Sequence, residues 1–239
     1  MVNTSKAIVL SAIKYGDADL IVKCFTEIGS RSYMVRNIFK TKKGKLAPAF
    51  FIPLTQLEIT ANYIAGRSLH YISDARIYYP YQTLMTDIKK QAIAIFISEV
   101  LNTIFREDEE NRPLFKYLEN AFKWLDSQDH TADFHLVFLK NLMQYLGIFP
   151  KSNVDAGSYL YFDLMNGIYS NQVVSNYFIN DQNLINFNKL SETDFDQINN
   201  LNFNKRMRLE LLEILIQYLE LHLSYFKKPK SLEILKTIF

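Results

Sequence analysis

Between Glu27 and Glu58 the chain carries six cations, Arg31, Arg36, Lys40, Lys42, Lys43 and Lys45, and no carboxylate. Aromatic rings are interleaved with them at Tyr33, Phe39, Phe50 and Phe51. Ammonium and guanidinium groups attract phosphates and release counterions, while exposed rings stack on unpaired bases. The combination suits a polyanion that is held without bond chemistry. A loop that only keeps the protein soluble has the same lysine content, and Phe50 and Phe51 would then simply begin a core strand. Two further basic groups stand out: Lys227, Lys228 and Lys230 in "FKKPKS", and Lys205, Arg206 and Arg208. The latter three fall at the start of an expected helix, where they oppose its dipole. An anionic partner, or the acidic run "REDEEN", would account for them.

Charge is unevenly divided. Residues 1–80 hold eleven basic and five acidic side chains, a net +6, whereas the other 159 hold 16 and 20, a net −4. Such asymmetry favours a polyanionic partner. The patterns that catalysis needs are missing: no Gly-x-Ser-x-Gly, no phosphate-cradling Gly-Lys-Ser/Thr and no dinucleotide glycine fingerprint. His130 and His135 are five apart, so they do not share a helical face as paired metal ligands would. They read as polar groups at a helix N-terminus. "REDEEN" reads as a solvated loop, and His70 as structural. Cys24 is the sole cysteine, which excludes an internal disulfide and a multi-cysteine zinc site, and its apolar surroundings make it a buried packing residue. The expectation is therefore no catalytic residue, no metal and no cofactor. "MVNTSKAIVL" lacks a secretory signal's cleavage site, and "AIAIFISEVLNTIF" is too short and polar to span a bilayer, so a cytoplasmic location is expected.

The elements that must position the cations are β in type. "KAIVLSAI", "DLIVKCFTE", "RSYMVRNI", "TQLEITANY" and "LHYISDARIYY" are strand candidates, separated by turn signals about every ten residues. Five short antiparallel strands suit a small closed barrel such as an OB-fold, and an SH3-like barrel fits equally at this level. After Pro80 the apolar period becomes helical. One helix from Leu84 would bury Ile88, Ala92, Ile95, Phe96, Val100, Ile104 and Phe105; others run from 113 to 125 and from 132 to 146. "SYLYFDLMNGIYSNQVV" predicts a hairpin turning at Asn166–Gly167. Eleven of the 19 asparagines lie between 166 and 204, which predicts loops and turns rather than core. "SETD" (191–194) resembles a capping box opening a short helix. A long helix from 205 to 223 comes next, and Ser231 is placed to cap a final one. The fold class is α+β and multidomain: a five-stranded OB-fold barrel over 1–80, then an all-α domain over 81–239 with a small β-containing insertion at about 150–190.

Several of these segments together resemble the RecO family of bacterial DNA repair and recombination proteins. They are "KAIVLSAIKYGDADLIVKCFTEIGS", "RNIFKTKKGKLAPAFFIPLTQLEIT", "LGIFP" and "YLELHLSYFKKPKSLEIL", in the family's order across nearly the whole chain. The resemblance implies binding of single- and double-stranded DNA and annealing of complementary strands. It also implies help in loading a recombinase onto strands coated by the single-stranded DNA-binding protein. The implied partners are that coating protein and RecR. Many members carry four zinc-binding cysteines in the insertion; this chain has none there, so that zinc is not expected. Aromatic and aliphatic residues such as Tyr159, Tyr161, Phe162 and Ile168 would have to hold the insertion. DNA contacts are expected at Arg31, Arg36, Lys40, Lys42, Lys43, Lys45, Lys227, Lys228 and Lys230. Lys140, near Phe138 and Tyr145, is a candidate for meeting an acidic tail. The competing class is an adaptor whose barrel binds an acidic protein. A hydrolase would need a site that none of these motifs supplies.

Overall fold

The structure, a computed structural model, describes residues 2–40, 46–64, 66–105, 110–150 and 158–239. Chain packing divides it into two compact units, Met1–Ser127 with Pro229–Ser231, and Gln128–Lys228 with Leu232–Phe239.

The first unit is built on five strands: β1 (Val2–Tyr15), β2 (Asp19–Thr26), β3 (Gly29–Val35), β4 (Gln56–Asn62) and β5 (Leu69–Tyr79). They close into a barrel in the order β1-β2-β3-β5-β4, with β3 and β5 parallel and the other pairs antiparallel. That order is the OB-fold's and resolves the choice between barrels. β1 pairs with both β2 and β4, and a bulge between Val9 and Ser11 bends it to serve both. Alternate residues point inward: Ala7 and Val9, Leu20, Val22 and Cys24, Tyr33 and Val35, Leu57 and Ile59, Ile72. Phe51, in a 3₁₀ turn (Pro48–Phe51), joins this core. Cys24 is wholly buried, and burial pushes its thiol far above the ordinary range.

Two helices complete this unit, α1 (Ile88–Ile104) and α2 (Arg112–Ser127). Asp87 caps α1 by accepting from the N–H groups of Lys89 and Lys90. Of the stripe expected on α1, Ala92, Phe96, Val100, Ile104 and Phe105 are buried, and Ile88 and Ile95 are not. Ile88 and Ile95 are 74% and 47% exposed, while Ile93, Ile97 and Leu101 are buried. Residues seven apart share a helix side, so Ile88 and Ile95 leave the core together. Phe105, just past α1, stacks on Phe25 of β2 with ring centroids 4.1 Å apart. The Asp126 carboxylate accepts from the backbone N–H groups of Gln82, Thr83 and Leu84. Burial alone would raise its pKa, but those donors win and lower it. This contact fixes the connection leaving the barrel.

In the second unit α3 (Phe134–Tyr145) is central, with every residue from Phe134 to Met143 buried. His135 is among them, contrary to the exposed polar terminus expected: it packs by the Phe239 ring, and burial first, then the Arg208 charge, depress its pKa to about 3. The hairpin is present as β6 (Tyr161–Asp163) and β7 (Ile168–Ser170), joined by a third strand, β8 (Phe178–Asn180). The asparagine-rich stretch does not stay a loop. It forms α4 (Asp181–Ser191), which buries Leu184, Phe187 and Leu190, because apolar residues at three-residue spacing outweigh the weak helix propensity of asparagine. Ser191 ends α4, its hydroxyl donating to the Asn188 carbonyl, rather than capping the next helix. That short helix is of the 3₁₀ type (Phe195–Asn200) and has no side-chain cap. Two α-helices complete the chain, α5 (Lys205–His222) and α6 (Leu232–Ile238). Ser231 directly precedes α6, and both its N–H and its hydroxyl donate to Glu99.

Candidate nucleic-acid interface

β3 and its continuation carry the described part of the basic segment. Arg31 is half-buried, its guanidinium 5.1 Å from the centre of the Tyr63 ring. Tyr63 in turn shares a 3.0 Å hydrogen bond with the Tyr33 hydroxyl. Burial, reinforced by that bond, pushes the Tyr33 phenol far above its ordinary range, so it stays neutral. Arg36, just past β3, is exposed and lies over the Tyr71 ring at 4.3 Å. The chain is then pinned to the β1–β2 turn. Asn37, at φ +56°, donates its N–H to Asp19 Oδ1 at 2.7 Å, and the Phe39 N–H donates to the Ala18 carbonyl. Lys40 is exposed just beyond. Among the described residues neither Arg36 nor Lys40 meets a carboxylate. Lys42, Lys43 and Lys45 lie outside the described residues.

Register brings together residues that sequence reading passed over. Ile13 pairs with Ile21, Ile21 with Met34, and Met34 with Tyr71, one row across β1, β2, β3 and β5. The neighbouring positions Val22, Tyr33 and Ile72 are core, so this row lies on the outer side of the barrel wall, where Ile13 is exposed, Ile21 and Tyr71 are half-buried and Met34 is buried. Ile13 and Tyr15 are exposed, and Lys14 lies 5.6 Å from the exposed Phe39 ring. The result is an apolar and aromatic strip edged by Lys14, Arg36 and Lys40. An exposed isoleucine and tyrosine on β1, flanking a lysine, were the available signal; only strand pairing shows that Ile13 shares a row with Tyr71. Lys23, on the adjacent outward row, is diverted: it donates to the carbonyls of Asn102 and Phe105, both at 2.9 Å, and closes the C-terminus of α1.

The remaining basic candidates differ in availability. Lys228 pairs with Glu213 at 3.2 Å, while Lys227 and Lys230 are exposed and meet no carboxylate among the described residues. Lys205 donates to the Thr237 carbonyl, Arg206 pairs with Glu210, and Arg208 lies 3.6 Å from Asp133, so these three are engaged within their own unit. Lys140 is buried in α3 with its amine 3.1 Å from Asp194. Burial lowers its pKa against that partner's pull, and it presents no open cation to an acidic tail. The insertion holds Phe162 stacked on Phe187 and Tyr218, and offers no thiol to a zinc ion. Among the described residues no three His, Cys, Asp or Glu side chains converge as metal ligands, and no helix is long and apolar enough to cross a membrane.

A closed five-stranded OB barrel followed by a helical region with a small inserted sheet defines the class: an OB-fold protein with an α-helical C-terminal part. Two family patterns match it, "Recombination protein O N terminal" over residues 1–81 and "Recombination protein O C terminal" over 85–233. Over 236 residues the chain is 42% identical to "DNA repair protein RecO" of Christiangramia forsetii, covering 98% of both chains. It is 41% identical to the protein of that name from Flavobacterium psychrophilum, again with 98% of each covered, and 34% to that from Bacteroides fragilis, with 100% of each covered. The chain belongs to the RecO family.

Proposed function

We propose that this protein binds single- and double-stranded DNA on the outer face of its barrel and anneals complementary strands in recombinational repair. In this reading it helps a recombinase load onto strands coated by the single-stranded DNA-binding protein. That coating protein and RecR are its partners, and it makes and breaks no covalent bond. The observation that carries the reading is the Arg36–Tyr71 stack beside the Ile13–Ile21–Met34 row, with no carboxylate on Arg36 among the described residues. A guanidinium stacked on a ring keeps its donors for phosphate while the ring edge meets a base. Annealing needs two charged backbones brought within pairing distance, and cations along β3 and the segment after it lower that repulsion.

Replacing Arg36 and Tyr71 together with alanine tests the site. Loss of one stacked base corresponds to about 1–3 kcal/mol, roughly five- to 150-fold in affinity. Fluorescence anisotropy with a labelled oligo-dT should show that loss, and an unchanged affinity would remove this face from the interface. Changing Lys42, Lys43 and Lys45 to glutamate should weaken binding strongly with the urea midpoint unmoved. A gel shift with an acidic protein competing as well as DNA would favour the adaptor reading instead.

A further inference from the structure

Three lysines converge on one carboxylate on another side of the barrel unit. Lys6 of β1 and Lys116 and Lys123 of α2 place their amines 3.1, 2.8 and 3.2 Å from Glu119. Glu119 is 2% exposed, whereas the lysine side chains are 40%, 65% and 31% exposed. Tyr78 of β5 also donates to Glu119, at 2.5 Å, so the carboxylate is saturated from within. Lys6 lies 4.7 Å from the centre of the Tyr78 ring, and Lys123 lies 5.1 Å from that of Tyr79.

The charge balance is what calls for a ligand. One buried carboxylate is matched by one ammonium; the second and third repel the first and are not needed for neutrality. Each ammonium has three donors, and Glu119 takes one from each, leaving about two per lysine for another acceptor. Among the described residues, other acids nearby do not cancel the excess. Glu58, opposite Lys6 in the sheet, is taken by Arg76 at 2.6 Å, and Glu27, near enough to act on Tyr78, is a single exposed charge. Both acids on α2, Glu119 and Asp126, are buried, so that helix shows solvent only cations and neutral residues.

We infer that Lys6, Lys116 and Lys123, beside Tyr78 and Tyr79, form a second phosphodiester-binding site that holds another nucleic-acid strand. This rests on the DNA-binding reading above and extends it. Tyr71 and Tyr78 are seven residues apart on β5, about 23 Å at the rise of a strand, so the two sites occupy opposite ends of one strand. One barrel unit then carries two backbones at once.

The test uses the full chain and two non-complementary oligo-dT strands, one carrying a donor and the other an acceptor dye. The variant is Lys116→Gln with Lys123→Gln, which leaves Lys6 and Tyr78 on Glu119. It should bind the first strand within about twofold of the parent. Energy transfer on adding the second strand should need at least roughly tenfold more of it, and the salt slope for that strand should shrink by about 1.4, the value for two phosphates on single strands. Lys116→Glu, at the most exposed of the three, gives the same readout without disturbing the packed stem of Lys123. Energy transfer unchanged in both variants overturns the inference, as does an equal loss for both strands, which would make the surfaces one. A parent protein that binds neither strand instead fails the DNA-binding reading itself.

Discussion

Glu119 is a single buried carboxylate that joins α2 to the barrel through Lys6 and Tyr78. Burial alone would raise its pKa, but donation from Lys116, Tyr78, Lys6 and Lys123 holds it at about 2 against an ordinary 4.5. A depressed carboxylate contributes stability that is fully present above the unfolded pKa and is lost as pH falls through the folded one. The window is therefore pH 4.5 down to about 2, and the linked stabilisation is on the order of 3 kcal/mol. Urea midpoints of the parent should fall across that window, and Glu119→Gln should be less stable by a similar amount at pH 7. A variant whose midpoint tracks the parent from about pH 7 to 2.5 would show that Glu119 is not the linked group. Glutamate with lysines at i−3 and i+4 reads in sequence as an ordinary exposed helix network. Only the approach of Lys6 and Tyr78 from the barrel makes it a buried hub.

At the scale of elements, the inserted sheet shows how a fold holds a segment without a metal. Phe162, Tyr169 and Ile179 occupy one face of β6, β7 and β8, and Phe162 packs on Phe187 of α4 and Tyr218 of α5. The Tyr218 hydroxyl donates to the Ile148 carbonyl, and His222 bonds the Leu164 carbonyl. Gly167 sits at φ +65°, and a Cβ there would lie 2.8 Å from the Tyr218 hydroxyl oxygen. Gly167→Ala should cost about 1–3 kcal/mol, combining left-handed strain with displacement of Tyr218. Adding Tyr218→Phe should recover part of that cost in thermal melts, and strict additivity would show that the two groups do not meet. Phe162→Ala should cost about 3–5 kcal/mol. The chelator EDTA should leave the melting temperature unchanged, since the segment has no thiolates to surrender. The Asn166–Gly167 turn was legible because turn chemistry is local. β8 and α4 were not, because asparagine-rich sequence becomes strand or helix only when a neighbouring apolar surface covers its few hydrophobic residues.

For the molecule as a whole, the measurable property is the salt dependence of strand binding. Neutralising about four to six phosphates gives a slope of log affinity on log salt near −3 to −4 for single strands. Titrations from about 50 to 300 mM salt should return that value, and a slope near zero would mean that the cations do not meet the backbone. The number depends on which basic residues remain available. Arg36 and Lys40 are open among the described residues, Lys228 is shared with Glu213, and Lys205, Arg206 and Arg208 are engaged. A net charge counted along the chain cannot separate these cases, because pairing depends on residues distant in sequence.

The amino-acid sequence alone determined the five-stranded barrel and the change to helices after Pro80, because strand alternation, turn residues and helical period act over neighbours; the resemblance to the RecO family rested instead on particular segments in order. It also excluded a cysteine-held zinc in the insertion, which is a matter of composition. Tertiary structure decided which cations stay open, that Ile13, Ile21, Met34 and Tyr71 form one row, and that three lysines share Glu119. Those outcomes depend on register and on helix-to-barrel packing, where a one-residue shift moves a side chain to the opposite face.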